Sequence, residues 1–321
     1  MSSSRPETLT HPTYEAPAKP SKIAKMLQRG TASWNARGVP RLLYATRRPV
    51  MGEARRFFDL DHDIRLVLEP DDYFQCMMFY GRYSPEILET LEHFVTPGDV
   101  VLDVGAHIGY FTLHLGRLVT PSGRVYSFEP DPRARVSLTQ AVEANRMTCV
   151  KTFPVALSGR EGELEFNLSP QLGWSTAVKN SHLPDLIPII VPTVPLDLLV
   201  VRGEVSPNIH LVKIDVEGFE MEVLSGMRKL LRDSRPMLVM EVNEQMLRAQ
   251  GDSPAALIAQ VKSFDYDVYA IARRSVWWWW RKPTAIPGLS LAHPTCNSGD
   301  VVCIPKEKRL WTDASEAKRR P

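Results

Sequence analysis

The run Asp103-Val104-Gly105-Ala106-His107-Ile108-Gly109 joins an acid, two glycines and an imidazole between an apolar strand-like segment, Val100–Val104, and a helical one, Tyr110–Leu118. A glycine-rich turn from a strand into a helix brings backbone amides close to a ligand. Gly105 lets the chain turn without a Cβ clash, and Gly109 lets the helix pack close to the strand. A dinucleotide fingerprint places another glycine at position 107, so that a pyrophosphate can approach. His107 stands there instead. Its ring disfavours a pyrophosphate but leaves room for a nucleoside ligand with a carboxylate and no phosphate, a description that S-adenosylmethionine fits. Glu129 lies 26 positions after Asp103, at the end of the next strand, where a carboxylate can accept both ribose hydroxyls. NAD(P) oxidoreduction, or a silent binding module on the same fold, is the alternative.

These residues need a scaffold of alternating strands and helices. Strands are expected at Val100–Val104, Arg124–Phe128, Cys149–Phe153, Ile209–Ile214, Met237–Val242, Asp267–Ile271 and Val301–Ile304. Helices are expected at Tyr110–Leu118, Ala134–Ala144, Glu220–Leu231 and Pro254–Ser263. That alternation reads as a doubly wound, mostly parallel α/β sheet. A more β-rich stretch (Glu163–Asn167, Ser175–Val178, Ile189–Val194) interrupts it. Upstream, Ile64–Leu68 and Tyr73–Tyr80 read as two strands around Pro70-Asp71-Asp72. Ser84-Pro85 then opens a helix as N-cap and first residue. A short helix is expected around Ile23, Met26 and Leu27, before a break at Gly38-Val39-Pro40.

The segments Pro97–Gly109 (PGDVVLDVGAHIG), Val125–Pro130 (VYSFEP) and above all Val212–Gly226 (VKIDVEGFEMEVLSG) resemble the FkbM family of methyltransferases, over about Ile64 to Ile304. The resemblance implies a Rossmann-like class I methyltransferase fold with one antiparallel strand and an N-terminal extension. It also implies S-adenosylmethionine as co-substrate and O-methyl transfer to a hydroxyl of a small metabolite, sugar or glycan- or lipid-linked acceptor. One departure is His107, where the family usually carries Asn. The expected cofactor contacts are Asp103, Gly105, His107, Gly109, Glu129 and Ala156. Methyl transfer is an in-line displacement, and the acceptor hydroxyl must lose a proton. Asp215, ending the fourth core strand, is the first candidate base, although it would equally suit the turn or the donor's ammonium group. Glu217 is the second, Glu220 reads as a helix-dipole partner, and Lys213 as the partner of a nearby carboxylate. Asp215, Glu241 and Asn243 offer oxygen ligands to Mg²⁺. Strand-end acids usually converge without metal, so none is expected.

Composition limits the alternatives. Of 321 residues 44% are hydrophobic and 24% charged, ordinary for a globular protein. The net charge is +2, yet residues 1–50 hold nine Lys/Arg against Glu7 and Glu15. This basic stretch reads as a solvated tail, and no nucleic-acid partner is expected. Four scattered cysteines form no C-x-x-C pair, which argues against a zinc ribbon or a disulfide framework. No apolar run reads as a signal or a membrane span, since Leu183–Val201 contains four prolines; a cytoplasmic protein is expected. The expected organisation is a basic, partly disordered arm (1–60), a methyltransferase domain (61–305) and a tail (306–321). Trp277–Trp280 fall outside the resemblance and admit three readings: rings packed over the sheet edge, a wall for a bulky acceptor, or a peripheral membrane contact.

Overall fold

Val100–Val104 and its neighbours alternate their side chains between two apolar layers, which is what makes them strands. Val101, Leu211, Val239 and Val302 enter one core, and Leu102, Val212, Leu238 and Val301 the other. A sheet covered on both faces requires such two-sided apolar strands. The structure, a computed structural model, describes residues 38–60, 63–170, 175–177, 185–271, 290–291 and 298–308. Its strands are β1 (Arg56–Asp59), β2 (Arg65–Leu68), β3 (Val100–Val104), β4 (Arg124–Phe128), β5 (Val150–Phe153), β6 (Ala156–Leu157), β7 (Gly162–Leu168), β8 (Ile187–Val194), β9 (Leu211–Ile214), β10 (Met237–Asn243), β11 (Tyr266–Ile271), β12 (Ser290–Leu291) and β13 (Ser298–Pro305).

The main sheet runs β12-β11-β13-β10-β9-β3-β4-β5. From β3 the chain winds outward through β4 to β5, then returns on the other side of β3 as β9. The switch of winding direction therefore falls between β3 and β9, and a crevice opens outside their carboxyl ends. β13 runs antiparallel to both β10 and β11, the antiparallel strand expected from the resemblance. The two-residue β12 adds a second at the edge. A separate sheet, β6-β8-β7, stands beside the main one.

Several local expectations are corrected. Tyr73–Phe79 is a helix and not a strand, and β2 pairs with β1. Asp72 Oδ1 accepts the Gln75 amide (2.9 Å) while Gln75 Oε1 accepts the Glu69 amide (2.8 Å). The Asp72 cap starts a helix whose residues Gln75–Phe79 are all buried, so its run carries no helical period. Gly38 and Pro40 begin the helix Val39–Ala45 rather than break one. Ser84 stands at the N-cap of Pro85–Phe94, but its side chain makes no cap hydrogen bond. Leu43, Met51, Phe58 and Leu60, all from the expected N-terminal arm, are buried in the first core.

The helix expected over Glu220–Leu231 divides into Glu220–Ser225 and Arg228–Asp233. A Cβ on Gly226 would sit 2.1 Å from the Ser158 carbonyl oxygen, so the chain bends past β6 there. The second piece restarts on Asp197, whose carboxylate accepts the amides of Lys229 and Leu230. The expected helix at Ile23–Leu27 and the Trp277–Trp280 run lie outside the described residues. Among the described residues no helix is long and apolar enough to cross a membrane.

Gly105 joins β3 to β9 most tightly. Its φ is +80°, and a Cβ there would lie 1.8 Å from the Asp215 carbonyl oxygen. Gly105→Ala is therefore expected to cost about 3 kcal/mol or more in urea unfolding, since backbone strain and overlap add. A loss below about 1 kcal/mol would contradict this packing.

Candidate active site

At one level of the sheet, Ser127 of β4, Asp103 of β3 and Lys213 of β9 are direct register partners. Lys213 Nζ lies 3.3 Å from Asp103 Oδ1 and 3.3 Å from Asp215 Oδ2. Asp103 Oδ2 accepts from the Thr112 hydroxyl at 2.7 Å, which meets Ser127 Oγ at 2.9 Å. The Phe111 ring covers the ammonium at 4.6 Å. Asp103, Thr112 and Ser127 are completely buried, and Lys213 nearly so. Burial alone would lower the Lys213 pKa, but the two carboxylates override it and hold the ammonium charged. A buried charge survives only when it is paired and hydrogen-bonded.

Above this row a cavity of about 470 Å³ opens at the carboxyl ends of β3, β4, β9 and β10. Gly105, His107, Glu129, Ala156, Asp215 and Glu217 line it. Asp103 and Gly109 do not. Asp103 is used up beneath the floor by Lys213 and Thr112, and Gly109 meets Leu138, whose Cδ1 a Cβ would approach to 2.8 Å.

Glu129 is fixed from both sides. Its Oε2 accepts the His107 amide (2.7 Å) and its Oε1 the Asp131 amide (2.8 Å). Burial pushes its carboxyl up to about 7, against the pull of those two amides. His107 holds a left-handed conformation, φ +51°, which lets its amide reach Glu129. Burial pulls its imidazole down to about 4, so the ring is neutral at physiological pH.

The opposite wall is acidic. One carboxylate oxygen each from Asp215, Glu217 and Glu241 falls within 4.8 Å of the others. Asp300 of β13 is the direct cross-strand partner of Glu241 and lines the same wall. Burial, then Asp215 and Glu220, pushes Glu217 up to about 8. Burial, then Asp215, Glu217 and Asp300, pushes Glu241 up to about 10. Glu220 is completely buried below them and pushed up to about 7, chiefly by burial. Burial, then Asp215 and Glu241, also raises the Tyr83 phenol that faces this group. Among the described residues no Lys or Arg lines the cavity. Asn243, weighed above as a metal oxygen, caps the helix Glu244–Gln250 by accepting the Met246 amide at 3.3 Å.

Tyr83, Asp131 and Asp300 line the cavity without any sign in the sequence. Asp300 is placed only by the antiparallel register of β13, which no local pattern encodes.

This arrangement, a glycine-turned crevice at the switch point with a clamped strand-end acid, belongs to nucleoside-binding α/β proteins. The sequence model of the methyltransferase FkbM domain matches residues 103–268, and the chain belongs to that family. It is similar to the hexuronic acid methyltransferase AglP of Haloferax volcanii, 30% identical over 158 residues, covering 49% of this chain and 62% of that one. It is also similar to the 2-O-methyltransferase NoeI of Sinorhizobium fredii, 28% identical over 184 residues, covering 53% and 73%. The chain thus spans less than two thirds of the length of the first of these relatives. An FkbM methyltransferase structure from Methylobacillus flagellatus superposes with a TM-score of 0.39 and 15% identity, covering 83% of this chain and 59% of that one.

Lys213→Met would leave Asp103 charged, buried and without a cation. It is expected to cost about 3–5 kcal/mol in urea unfolding, with much of the loss recovered in Lys213→Met/Asp103→Asn. Absence of any recovery would show that the lysine acts through packing alone.

Proposed function

We propose that the protein is an S-adenosylmethionine-dependent O-methyltransferase acting on a hydroxyl of a sugar or similar small acceptor. The observation that carries this reading is the acidic lining of the cavity. Six carboxylates (Glu129, Asp131, Asp215, Glu217, Glu241 and Asp300) line it, and among the described residues no Lys or Arg does. Such a cavity favours a cationic ligand and opposes a pyrophosphate, which sets the reading apart from NAD(P) chemistry. Family membership and the names of the two relatives support methyl transfer; one name points to a hexuronic acid and the other to a 2-O position.

Glu129 would hold the ribose of the donor. Each of its oxygens already accepts one amide and keeps lone pairs for a hydroxyl. Gly105, His107 and Ala156, which line the same end of the cavity, would complete the cradle. When bound, the donor supplies an electrophilic methyl group on a positively charged sulfur. The acid wall would stabilise that charge and orient the acceptor.

Of the two candidate bases, Glu217 fits better. Asp215 is held by Lys213, so its place is to orient. Among the described residues Glu217 has no such cation, and a carboxyl pushed up to about 8 is a stronger base than an ordinary one. Glu217 would take the hydroxyl proton as the acceptor oxygen forms its new bond to carbon and the carbon–sulfur bond breaks. A metal ion is not required by this account, because the cationic donor itself balances the acid wall.

A first test is thermal: S-adenosylhomocysteine is expected to raise Tm and NADH to leave it unchanged, and the reverse would overturn the reading. A second follows from protonation. Glu217 must be ionised to act, so kcat/KM for the donor, which reports the free enzyme, is expected to rise through about pH 8. Glu217→Gln is expected to remove that limb and lower kcat about 10²-fold. A limb that persists in Glu217→Gln places the base elsewhere.

A further inference from the structure

The turn that carries Glu217 is held from outside the main sheet. Glu217 has φ +50° and Gly218 φ +95°, both in the left-handed region. Side chains take both polar atoms of the peptide group between them. Thr176 Oγ1 donates to the Glu217 carbonyl at 2.8 Å, and the Gly218 amide donates to Glu220 Oε1 at 3.1 Å. Thr176 and Glu220 are both completely buried. The turn also packs against the helix Glu244–Gln250, since a Cβ on Gly218 would lie 2.8 Å from the Met246 backbone. A residue other than glycine keeps a left-handed conformation only where its surroundings over-determine it.

Thr176 is itself firmly placed. Its amide and carbonyl exchange hydrogen bonds with Asn167 of β7, at 3.0 and 2.8 Å, in an isolated bridge. The next residue, Ala177, packs with Phe166, Leu168, Val191 and Phe219. The preceding one, Ser175, donates from its hydroxyl to Asp131 Oδ2 at 2.9 Å. That hydroxyl oxygen also accepts from Arg133 (3.2 Å) and from the Ser169 amide (3.1 Å). Two consecutive residues thus tie down the loop after β4 and the turn after β9, the strands that flank β3. Through Thr176 the small sheet β6-β8-β7 reaches the acid wall.

We propose that Thr176 is a positioning residue, whose hydroxyl acts through the Glu217 carbonyl to hold the Glu217 carboxyl in the acid wall. The inference rests on the reading of Glu217 given above and names what keeps that residue in place. Without the hydroxyl the Glu217 carbonyl loses its partner and the left-handed turn one of its restraints. The carboxyl is then free to swing toward water, where it ionises before any ligand arrives.

Calorimetry near neutral pH, in buffers of different ionisation enthalpy and with no acceptor present, tests this. The probes are S-adenosylmethionine and S-adenosylhomocysteine, and the readout is the excess of protons that the first expels over the second. Thr176→Val removes the hydroxyl and is expected to lower that excess about twofold or more, while S-adenosylhomocysteine affinity stays within about twofold of wild type. Thr176→Ser, which keeps the hydroxyl, is expected to restore the excess. An unchanged excess in Thr176→Val would overturn the proposal. So would a loss accompanied by weakened S-adenosylhomocysteine, or one that Thr176→Ser leaves unrestored, since packing would then be its cause. Should Thr176→Val fail to fold, Thr176→Ala is compared with Thr176→Ser in the same way. In Glu217→Gln the excess is expected to fall, and adding Thr176→Val is expected to lower it no further. A wild-type excess in Glu217→Gln, or no excess in the wild-type protein, overturns the reading of Glu217 itself. A further fall in the double variant overturns only the role of Thr176.

Discussion

The Lys213 ammonium, enclosed between the carboxylates of Asp103 and Asp215, is the interaction on which the rest of the site depends. It links β3 to β9 across the switch point, and through Thr112 and Ser127 it reaches the helix Tyr110–Val119 and β4. Taking these groups out of water is costly, and such a cluster persists only with nearly complete pairing. Its return is positional. Asp103 is held below the floor and Asp215 is turned toward the cavity mouth, 25% exposed, from a strand that is otherwise fully buried. Gly105 can then pass against the Asp215 backbone, so the loop that cradles a ligand and the strand end that carries the acids are set by one contact.

The row neutralises only part of the charge around the cavity. One lysine serves two aspartates, and among the described residues Glu217, Glu241 and Glu220 have no comparable cation. Their raised pKa values follow from burial first and mutual repulsion second. At a separation of about 4 Å and an effective dielectric near 20, one unit charge of opposite sign offers such a group, once it is ionised, about 4 kcal/mol. That exceeds what a neutral hydrogen bond gives, so ligand charge, more than shape, would decide what this wall accepts.

Much of the site was legible because it is local. The strand, the turn through Gly105 and Gly109 and the strand-end Glu129 lie within one βαβ unit, where sequence distance and spatial distance agree. Asp103 was expected to contact the ligand from the family resemblance, not from its own surroundings. Here its register partner is a lysine, and the pair closes on itself below the floor. Asp300 and Tyr83 were invisible for a related reason: each reaches the cavity through long-range packing that no spacing rule encodes. The Tyr73–Phe79 helix was missed because its exposed start is aromatic and the rest is buried, so no polar face reveals its period. The bend at Gly226 was missed because its cause, the Ser158 carbonyl, lies nearly seventy residues upstream.

The central claim is that a buried, partly protonated acid wall faces the positive charge of a methyl donor. Proton release on ligand binding measures this directly, by calorimetry near neutral pH in buffers of different ionisation enthalpy. S-adenosylmethionine and S-adenosylhomocysteine share every group except the methyl and its sulfonium charge. The account predicts that the charged donor expels measurably more protons than the neutral product, because its charge draws Glu217 and Glu241 toward their ionised forms. Equal proton release for the two ligands would contradict it.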